Sequence, residues 1–127
     1  MTIANWCIAA ACILPTLVGL TPKVASYRTQ DRYDNANPRI WEERQSGWRK
    51  RAVAAHLNGF EALPLFIAAV ILAQQAHANQ DRIDIMAMAF VVVRVAYSVI
   101  YISNLATLRS LVWGAGVAIC LALLAMA

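Results

Sequence analysis

Charged residues are scarce in this 127-residue sequence, in which Lys, Arg, Asp and Glu together make up 14%. A soluble globular domain has about 25% charged residues, so this shortage argues against a water-soluble fold. The hydrophobic fraction of 61% excludes a disordered chain, because disordered chains are poor in apolar residues. Nucleic-acid-binding proteins carry a basic patch on a soluble module, and the sequence has no such module, so no nucleic-acid partner is expected.

Cysteine is also scarce, and the three cysteines lie inside apolar stretches, at Cys7, Cys12 and Cys120. They lack the Cys-x-x-Cys spacing, which argues against a disulfide framework and against a metal cluster. No metal site is therefore predicted, and the cysteines are expected to pack as small apolar residues.

Long apolar runs are what the sequence does contain. There are four of them, each 18 to 22 residues long: Ile3–Leu20, Ala52–Ala73, Ile85–Ile102 and Leu108–Ala127. At about 1.5 Å per residue, each run can cross about 30 Å of hydrocarbon as a helix. Open strands are excluded at that depth, because their backbone groups would have no hydrogen-bond partners. The sequence therefore predicts an all-α fold, a four-transmembrane-helix bundle in the lipid bilayer, formed by a single domain over residues 1–127.

The excess positive charge is concentrated in one connection, residues 24–50. Eight of the eleven basic residues, but only four of the seven acidic ones, lie within residues 23–51. Because cytoplasmic connections carry the excess of Lys and Arg, this loop is predicted to be cytoplasmic and both termini to lie outside the cell membrane. Pro22, Pro38 and Gly47 are interpreted as helix breakers around an irregular loop.

Polar residues interrupt two of the apolar runs, with His56, Asn58 and Glu61 in the second and Arg94 in the third. Ionisable groups within a span are costly, which makes them candidates for a functional site. Glu61 and Arg94 lie at the same depth, about 15 Å from the loop-side ends of adjacent antiparallel helices. They are predicted to pair, since either charge alone would be more costly to bury. The pair either belongs to a functional site or only fixes the helix register.

Other residues within the spans favour structural roles. His56 lies about 160° around the helix from Asn58, so contact with another helix is predicted for it rather than catalysis. Pro64 is expected to kink the second helix. Gly114 and Gly116 are interpreted as close-packing positions.

Two stretches carry a resemblance to a known family. The first is Ala55-His56-Leu57-Asn58-Gly59-Phe60-Glu61, followed by Leu63-Pro64-Leu65-Phe66. The second is Arg94-Val-Ala-Tyr-Ser-Val-Ile-Tyr101, followed by Arg109-Ser110. The first resembles the helix 2 signature of MAPEG proteins, the membrane-associated proteins in eicosanoid and glutathione metabolism. The second is similar to the helix 3 to helix 4 region of microsomal prostaglandin E synthase, a member of that family.

The resemblance implies a homotrimer that binds glutathione, as its thiol substrate, between subunits near the cytoplasmic side, with a lipophilic small molecule as second substrate. Arg109 and Ser110 occupy the positions that stabilise or orient the reactive thiolate in the family. By position, Asn58 and Glu61 would hold the glutathione peptide and its amino end, with Arg94 bracing Glu61. Ligand-binding roles are thus predicted for Arg51, Asn58, Glu61, Arg94, Tyr97, Tyr101 and Trp113. A thiol of pKa about 8.5 becomes nucleophilic near neutral pH when a cation stabilises its thiolate.

Three positions depart from the family pattern: Ala54, Leu57 and Trp113. Leu57 lies where the prostaglandin synthase has another arginine, although microsomal glutathione transferases also have leucine, and Trp113 takes the place of a tyrosine. Catalytic relatives carry a ligand-binding arginine immediately before the Ala-His of helix 2, and this sequence has Ala54 there. Arg51, one turn earlier, either supplies the missing charge or serves as one more positive anchor of the cytoplasmic loop.

Two functions from different classes follow. The first, which the sequence favours, is a glutathione-dependent transferase or peroxidase acting on lipophilic electrophiles or lipid hydroperoxides. The second is a non-catalytic trimeric membrane protein that binds lipid or scaffolds a partner, and Ala54 favours it. A transporter or channel is disfavoured, because one subunit has too few spans for inverted repeats.

Overall fold

The computed structural model describes all residues from Met1 to Ala127. Its helices are α1 (Ile3–Ser26), α2 (Pro38–Arg44), α3 (Gly47–Gln75), α4 (Gln80–Ile102) and α5 (Ala106–Leu124), and it contains no strand. The four long helices α1, α3, α4 and α5 are each long and apolar enough to span a membrane. The predicted all-α fold with four transmembrane helices is therefore confirmed.

The spanning helices alternate in direction, so the bundle has two distinct ends. At the termini end, the Ala4 N–H donates to Asp84 Oδ1 at 2.8 Å, and the Gln74 side-chain amide donates to Thr2 Oγ1 at 2.9 Å. At the opposite loop end, α1 and α4 finish while α3 and α5 begin. Helix α3 packs against all three other spanning helices, and α1 also packs against α4.

The core consists of small residues around two stacked phenylalanines. Phe66 of α3 stacks on Phe90 of α4, with ring centroids 3.9 Å apart. Small side chains let helices approach closely within a bilayer, where no hydrophobic force drives them together. Cys7 and Cys120 are buried in this core, as predicted for small apolar residues. The other small residues of the core are Ala4, Ala11, Ala69, Ala73 and Ala87.

Helix α1 extends to Ser26, so the prediction that Pro22 breaks it is wrong. A proline has no N–H, which leaves the Val18 carbonyl without its usual donor four residues later. The Thr21 hydroxyl donates to Val18 O at 2.7 Å and satisfies that carbonyl, so the helix continues. Pro38 and Gly47 do stand at boundaries, as the first residues of α2 and α3.

The connection between α1 and α3 is folded rather than irregular throughout, because Trp41 of α2 is completely buried. Asp31 accepts hydrogen bonds from Arg44 at 2.9 Å and Gln45 at 3.1 Å. A turn follows Asp34, and hydrogen bonding from the Asn37 amide holds the pKa of the Asp34 carboxyl below its usual range. The polar connection thus forms a cap on the loop end.

Helices α1 and α3 interlock around His56, which has the helix-contact role predicted for it. His56 Nδ1 lies 2.6 Å from Pro15 O, and since a carbonyl only accepts, Nδ1 is the donor. A Cβ at Gly19 would lie 2.5 Å from His56 Nδ1, so any residue larger than glycine at this crossing would displace the His56 ring. Gly114 and Gly116 do not serve as close-packing positions within the chain, because a Cβ at either would meet nothing closer than 3.6 Å.

Gly19→Ala is expected to destabilise the protein by about 1–3 kcal/mol, the usual range for overpacking a well-filled contact. The added methyl would displace His56 and stretch its hydrogen bond to Pro15. Thermal unfolding of the purified protein in detergent measures the effect. Gly114→Ala is the matched control, since its Cβ meets nothing within 4 Å, and its midpoint should stay level or rise slightly. Equal midpoints for the two variants would contradict the interlock.

Candidate functional site

Polar and aromatic side chains from three helices converge on a groove in the loop-end half of the bundle. The groove has a volume of about 380 Å³ and is open along one side. Residues three or four positions apart lie on the same helix face. The lining residues of α3, and likewise those of α4, have this spacing and so face the groove together. The lining residues are Ala54, Leu57, Asn58, Glu61, Tyr97, Tyr101 and Arg109.

Asn58 connects the two charged residues at the inner end of the groove. Arg94 Nη2 donates to Asn58 Oδ1 at 2.9 Å, and Asn58 Nδ2 donates to Glu61 Oε2 at 3.3 Å. The predicted direct ion pair between Glu61 and Arg94 is therefore wrong. The reason is local, because Asn58 lies one turn before Glu61 on α3 and its amide can accept and donate at once. The Glu61 carboxylate stays exposed in the groove.

Arg94 is a buried cation with no carboxylate partner. Its side chain is only 5% exposed, and none of the three ion pairs in the chain includes it. The Asn58 oxygen and the face of Tyr97, 4.2 Å from the guanidinium carbon, take the place of a counter-ion. Removing the Asn58 oxygen or the Tyr97 ring would leave the Arg94 charge less well compensated, since burying an unpaired cation is costly.

Two tyrosines stand between Arg94 and Arg109 along the groove. Tyr97 packs edge-to-face on Tyr101, with ring centroids 5.7 Å apart. The Arg109 guanidinium carbon lies 4.5 Å from the centre of the Tyr101 ring. Arg109 takes part in no ion pair, so this cation–π contact positions it over the groove with its N–H groups available.

Four predicted site residues do not line this groove: the buried Arg94, which reaches it only through Asn58, and Ser110, Arg51 and Trp113. Ser110 is exposed, and its hydroxyl donates to Ala106 O at 3.2 Å within α5. Arg51 Nε donates to Ile102 O at 2.9 Å, so its charge compensates the C-terminal end of α4 rather than replacing the missing arginine at Ala54. Trp113 lines a separate cavity on the other side of Glu61.

A second groove, of about 400 Å³, lies between α2 and α3, and no pattern in the sequence indicated it. It shares Ala54 and Leu57 with the first groove. Its charged lining residues balance in sign, with two basic and two acidic side chains: Arg39, Lys50, Glu42 and Glu43. These residues were missed because the connection was predicted to be irregular, so α2 had no position relative to α3. Pro38, which is favoured at the first position of a helix, was the available signal for α2.

A comparison with protein families identifies the family, because the model of the MAPEG family matches residues 3–127. The chain belongs to the MAPEG family. The match covers all four spanning helices, whereas the resemblance recognised in the sequence extends only from about Arg51 to Trp113. Comparison with curated proteins and with solved structures finds no match. MAPEG proteins include glutathione transferases and peroxidases as well as non-catalytic members, so membership alone leaves the activity of this MAPEG protein open.

Proposed function

We propose that this MAPEG protein is a glutathione-dependent transferase or peroxidase that acts on lipophilic electrophiles or lipid hydroperoxides in the membrane. The observation that carries the proposal is the groove lined by both Glu61 and Arg109. One side chain is an exposed carboxylate and the other an arginine without an acidic partner. A groove with both charges matches glutathione, which has an ammonium group, two carboxylates and a thiol.

The Glu61 carboxylate is the acceptor for the glutathione ammonium group. The hydrogen bond from Asn58 Nδ2 orients it, and Arg94 in turn orients Asn58. Arg94 therefore acts as a positioning residue, because its guanidinium is buried and committed to Asn58 and Tyr97. A charged hydrogen bond of this kind is worth about 1.5–3 kcal/mol when it is made in a partly dry site.

Arg109 is the cation that stabilises the glutathione thiolate. Its contact with Tyr101 restrains the guanidinium without using its donors. A nearby cation lowers the pKa of a thiol and raises the fraction of thiolate at neutral pH. Ser110 contributes less in this proposal, because its hydroxyl is already donated to the backbone of α5.

Two reactions follow from a bound thiolate. In the transferase reaction, the sulfur lone pair forms a C–S bond to the electrophilic carbon, and the leaving group departs with the electron pair of its broken bond. In the peroxidase reaction, the sulfur attacks the terminal hydroperoxide oxygen, the O–O bond breaks, and the alkoxide takes a proton to become an alcohol. The glutathione sulfenic acid then reacts with a second glutathione to give the disulfide and water.

The groove is incomplete for glutathione within one subunit. It presents one free cation, Arg109, whereas the ligand has two carboxylates in addition to its thiolate. We therefore propose a homotrimer in which a neighbouring copy supplies the remaining contacts, as closed symmetric assemblies allow. The cytoplasmic location of the 24–50 connection stays a prediction. With that orientation, the groove would lie near the cytoplasmic side, where glutathione is available.

A non-catalytic trimeric membrane protein is the second candidate. The observation that favours it is Ala54, which lines the groove without charge while Arg51 is held at the end of α4. In that case the buried polar residues would stabilise assembly, and the groove would bind lipid or a protein partner.

Glu61→Gln is expected to weaken glutathione binding on the order of tenfold or more, because the ammonium group loses its charged acceptor. Isothermal titration of purified protein in detergent measures the dissociation constant. Glu43→Gln is the control, since Glu43 is exposed and lies outside this groove. Glutathione without its amino group should bind wild type and Glu61→Gln equally. A tenfold difference for that analogue as well would assign Glu61 to another part of the ligand.

A further inference from the structure

The separate cavity that Trp113 lines has a volume of about 150 Å³ and lies between α3, α4 and α5. Six of its nine lining residues are apolar, and Ala62, Leu65, Phe90 and Val117 form much of its wall. Glu61 and Arg94 are the only charged residues that line the cavity. An apolar cavity of this kind holds an apolar group better than it holds water, because water needs two to four polar partners.

The cavity lies at the mid-length of α3. Glu61 is the central residue of α3, about 21 Å from either end of that helix at about 1.5 Å per residue. Leu65 is one turn further toward the termini end. Leu65 and Trp113 are 38% and 50% exposed on the surface of the subunit, so the cavity opens outward between α3 and α5.

The cavity adjoins the groove described above, because Glu61 lines both. Trp113 follows Arg109 by one turn of α5, so the two side chains lie on the same helix face. A molecule with its apolar part in the cavity therefore extends its remaining atoms past Glu61 toward the groove and Arg109.

Gly116 keeps part of this space open. A Cβ at Gly116 would meet Val93 Cγ1 at 3.6 Å and Phe90 Cε2 at 3.8 Å, which are ordinary contact distances. Close packing therefore does not require glycine here, although glycine within a helix costs about 0.5–1 kcal/mol relative to alanine. The missing side chain leaves volume in the cavity wall.

We propose that this cavity binds the apolar part of the second substrate and selects substrates that carry a group of about the size of a benzene ring. A dry cavity of about 150 Å³ accommodates benzene, which sets the size of the group. The proposal names the substrate class and rests on the proposed function for the chemistry, whereas binding of the apolar group stands independently of any reaction.

Binding is tested with bromobenzene, a heavy-atom quencher of tryptophan fluorescence, on purified protein in detergent. Quenching in wild type should contain a saturable component that is absent from Trp113→Phe. Val117→Phe fills the cavity and should abolish the saturable component, and the milder Gly116→Ala should weaken it. Leu121→Phe is the control, because Leu121 is 56% exposed on the same helix. Quenching that rises linearly and equally in wild type and Val117→Phe would overturn the proposal.

Selectivity is tested with benzalacetone and ethylideneacetone, two enones that differ only in a phenyl or a methyl group on the reacting carbon. The glutathione sulfur bonds to that carbon, and the resulting enolate takes a proton from water at the neighbouring carbon. Relative to the uncatalysed reactions, wild type should accelerate the phenyl compound about tenfold more, which corresponds to about 1.4 kcal/mol. Val117→Phe should remove this preference, whereas the control Leu121→Phe, which lies outside the cavity, should retain it.

The two enones also separate the cavity from the proposed function. Equal acceleration of both by wild type, or equal slowing of both by Val117→Phe, would overturn the assignment of the cavity. If wild type accelerates neither compound, the proposed transferase function fails. Saturable bromobenzene quenching in the same preparation would then still support binding of an apolar group.

Discussion

Arg109→Leu is expected to lower kcat/KM for glutathione conjugation by about a hundredfold to a thousandfold, the usual loss when one preorganised charge-stabilising group is removed. The guanidinium is the only free cation of the groove, and its position depends on Tyr101. Ultraviolet absorbance of the thiolate should appear when wild type binds glutathione at neutral pH, and it should be absent from Arg109→Leu.

The pH dependence has a definite sign. Arg109 favours the charged form of the thiol, so the pKa of bound glutathione lies below that of the free thiol, about 8.5. Activity should therefore rise with pH through a lower midpoint in wild type than in Arg109→Leu. Each unit between the two midpoints corresponds to about 1.4 kcal/mol of interaction with the thiolate.

Arg82→Leu is the control for these measurements, since Arg82 is exposed in the first turn of α4 at the termini end. It should leave both the thiolate absorbance and the rate unchanged. If wild type saturated with glutathione shows neither thiolate absorbance nor conjugation, the non-catalytic alternative is correct. Loss of both signals in Arg82→Leu as well would indicate a general loss of structure.

Asn58→Leu should lower the free energy of unfolding by about 2–3 kcal/mol, because it leaves the Arg94 guanidinium buried without its acceptor. Glu61→Ala should cost less than about 1 kcal/mol, since Glu61 is exposed and receives a single hydrogen bond from Asn58. Denaturant unfolding of the detergent-solubilised protein, followed by circular dichroism, measures both variants.

The double variant Asn58→Leu Arg94→Met should recover most of the stability lost by Asn58→Leu, because it removes the buried charge together with its acceptor. Such recovery identifies the uncompensated cation as the cause of the loss. If Glu61→Ala were as destabilising as Asn58→Leu, Glu61 and Arg94 would be paired directly, as their equal depth in the sequence predicted.

Most residues of the groove could be predicted from the sequence, but their contacts could not. Asn58, Glu61, Tyr97, Tyr101 and Arg109 were selected from the sequence, and the structure places them around one groove. Polar residues inside apolar runs are conspicuous in a sequence, because burying them is costly wherever they face. Which atom of which residue meets Arg94 depends on helix rotation and on side-chain reach, and so the hydrogen bonds of Asn58 to Arg94 and Glu61 were not predicted.

The folded connection is the largest feature that the sequence pattern did not reveal. Trp41 is completely buried, and α2 lies against α3 so that Arg39 and Lys50 flank a second groove. A seven-residue helix is too short to be stable alone, so its formation depends on contacts with the rest of the chain. Those contacts cannot be predicted from a local pattern of charge or hydropathy.

The sequence by itself determined the environment and the class of fold of this protein. Runs of apolar residues long enough to cross hydrocarbon require helices, since each backbone group must be satisfied within its own segment. Only the tertiary structure decided how the polar side chains are partnered: Asn58 between Arg94 and Glu61, Arg51 on the end of α4, and Arg109 over Tyr101. The physical reason is range, because helix formation depends on neighbours within a few residues. The contacts of Asn58 with Arg94, of Arg51 with α4 and of Arg109 with Tyr101 instead join different helices, which come together only when the bundle packs.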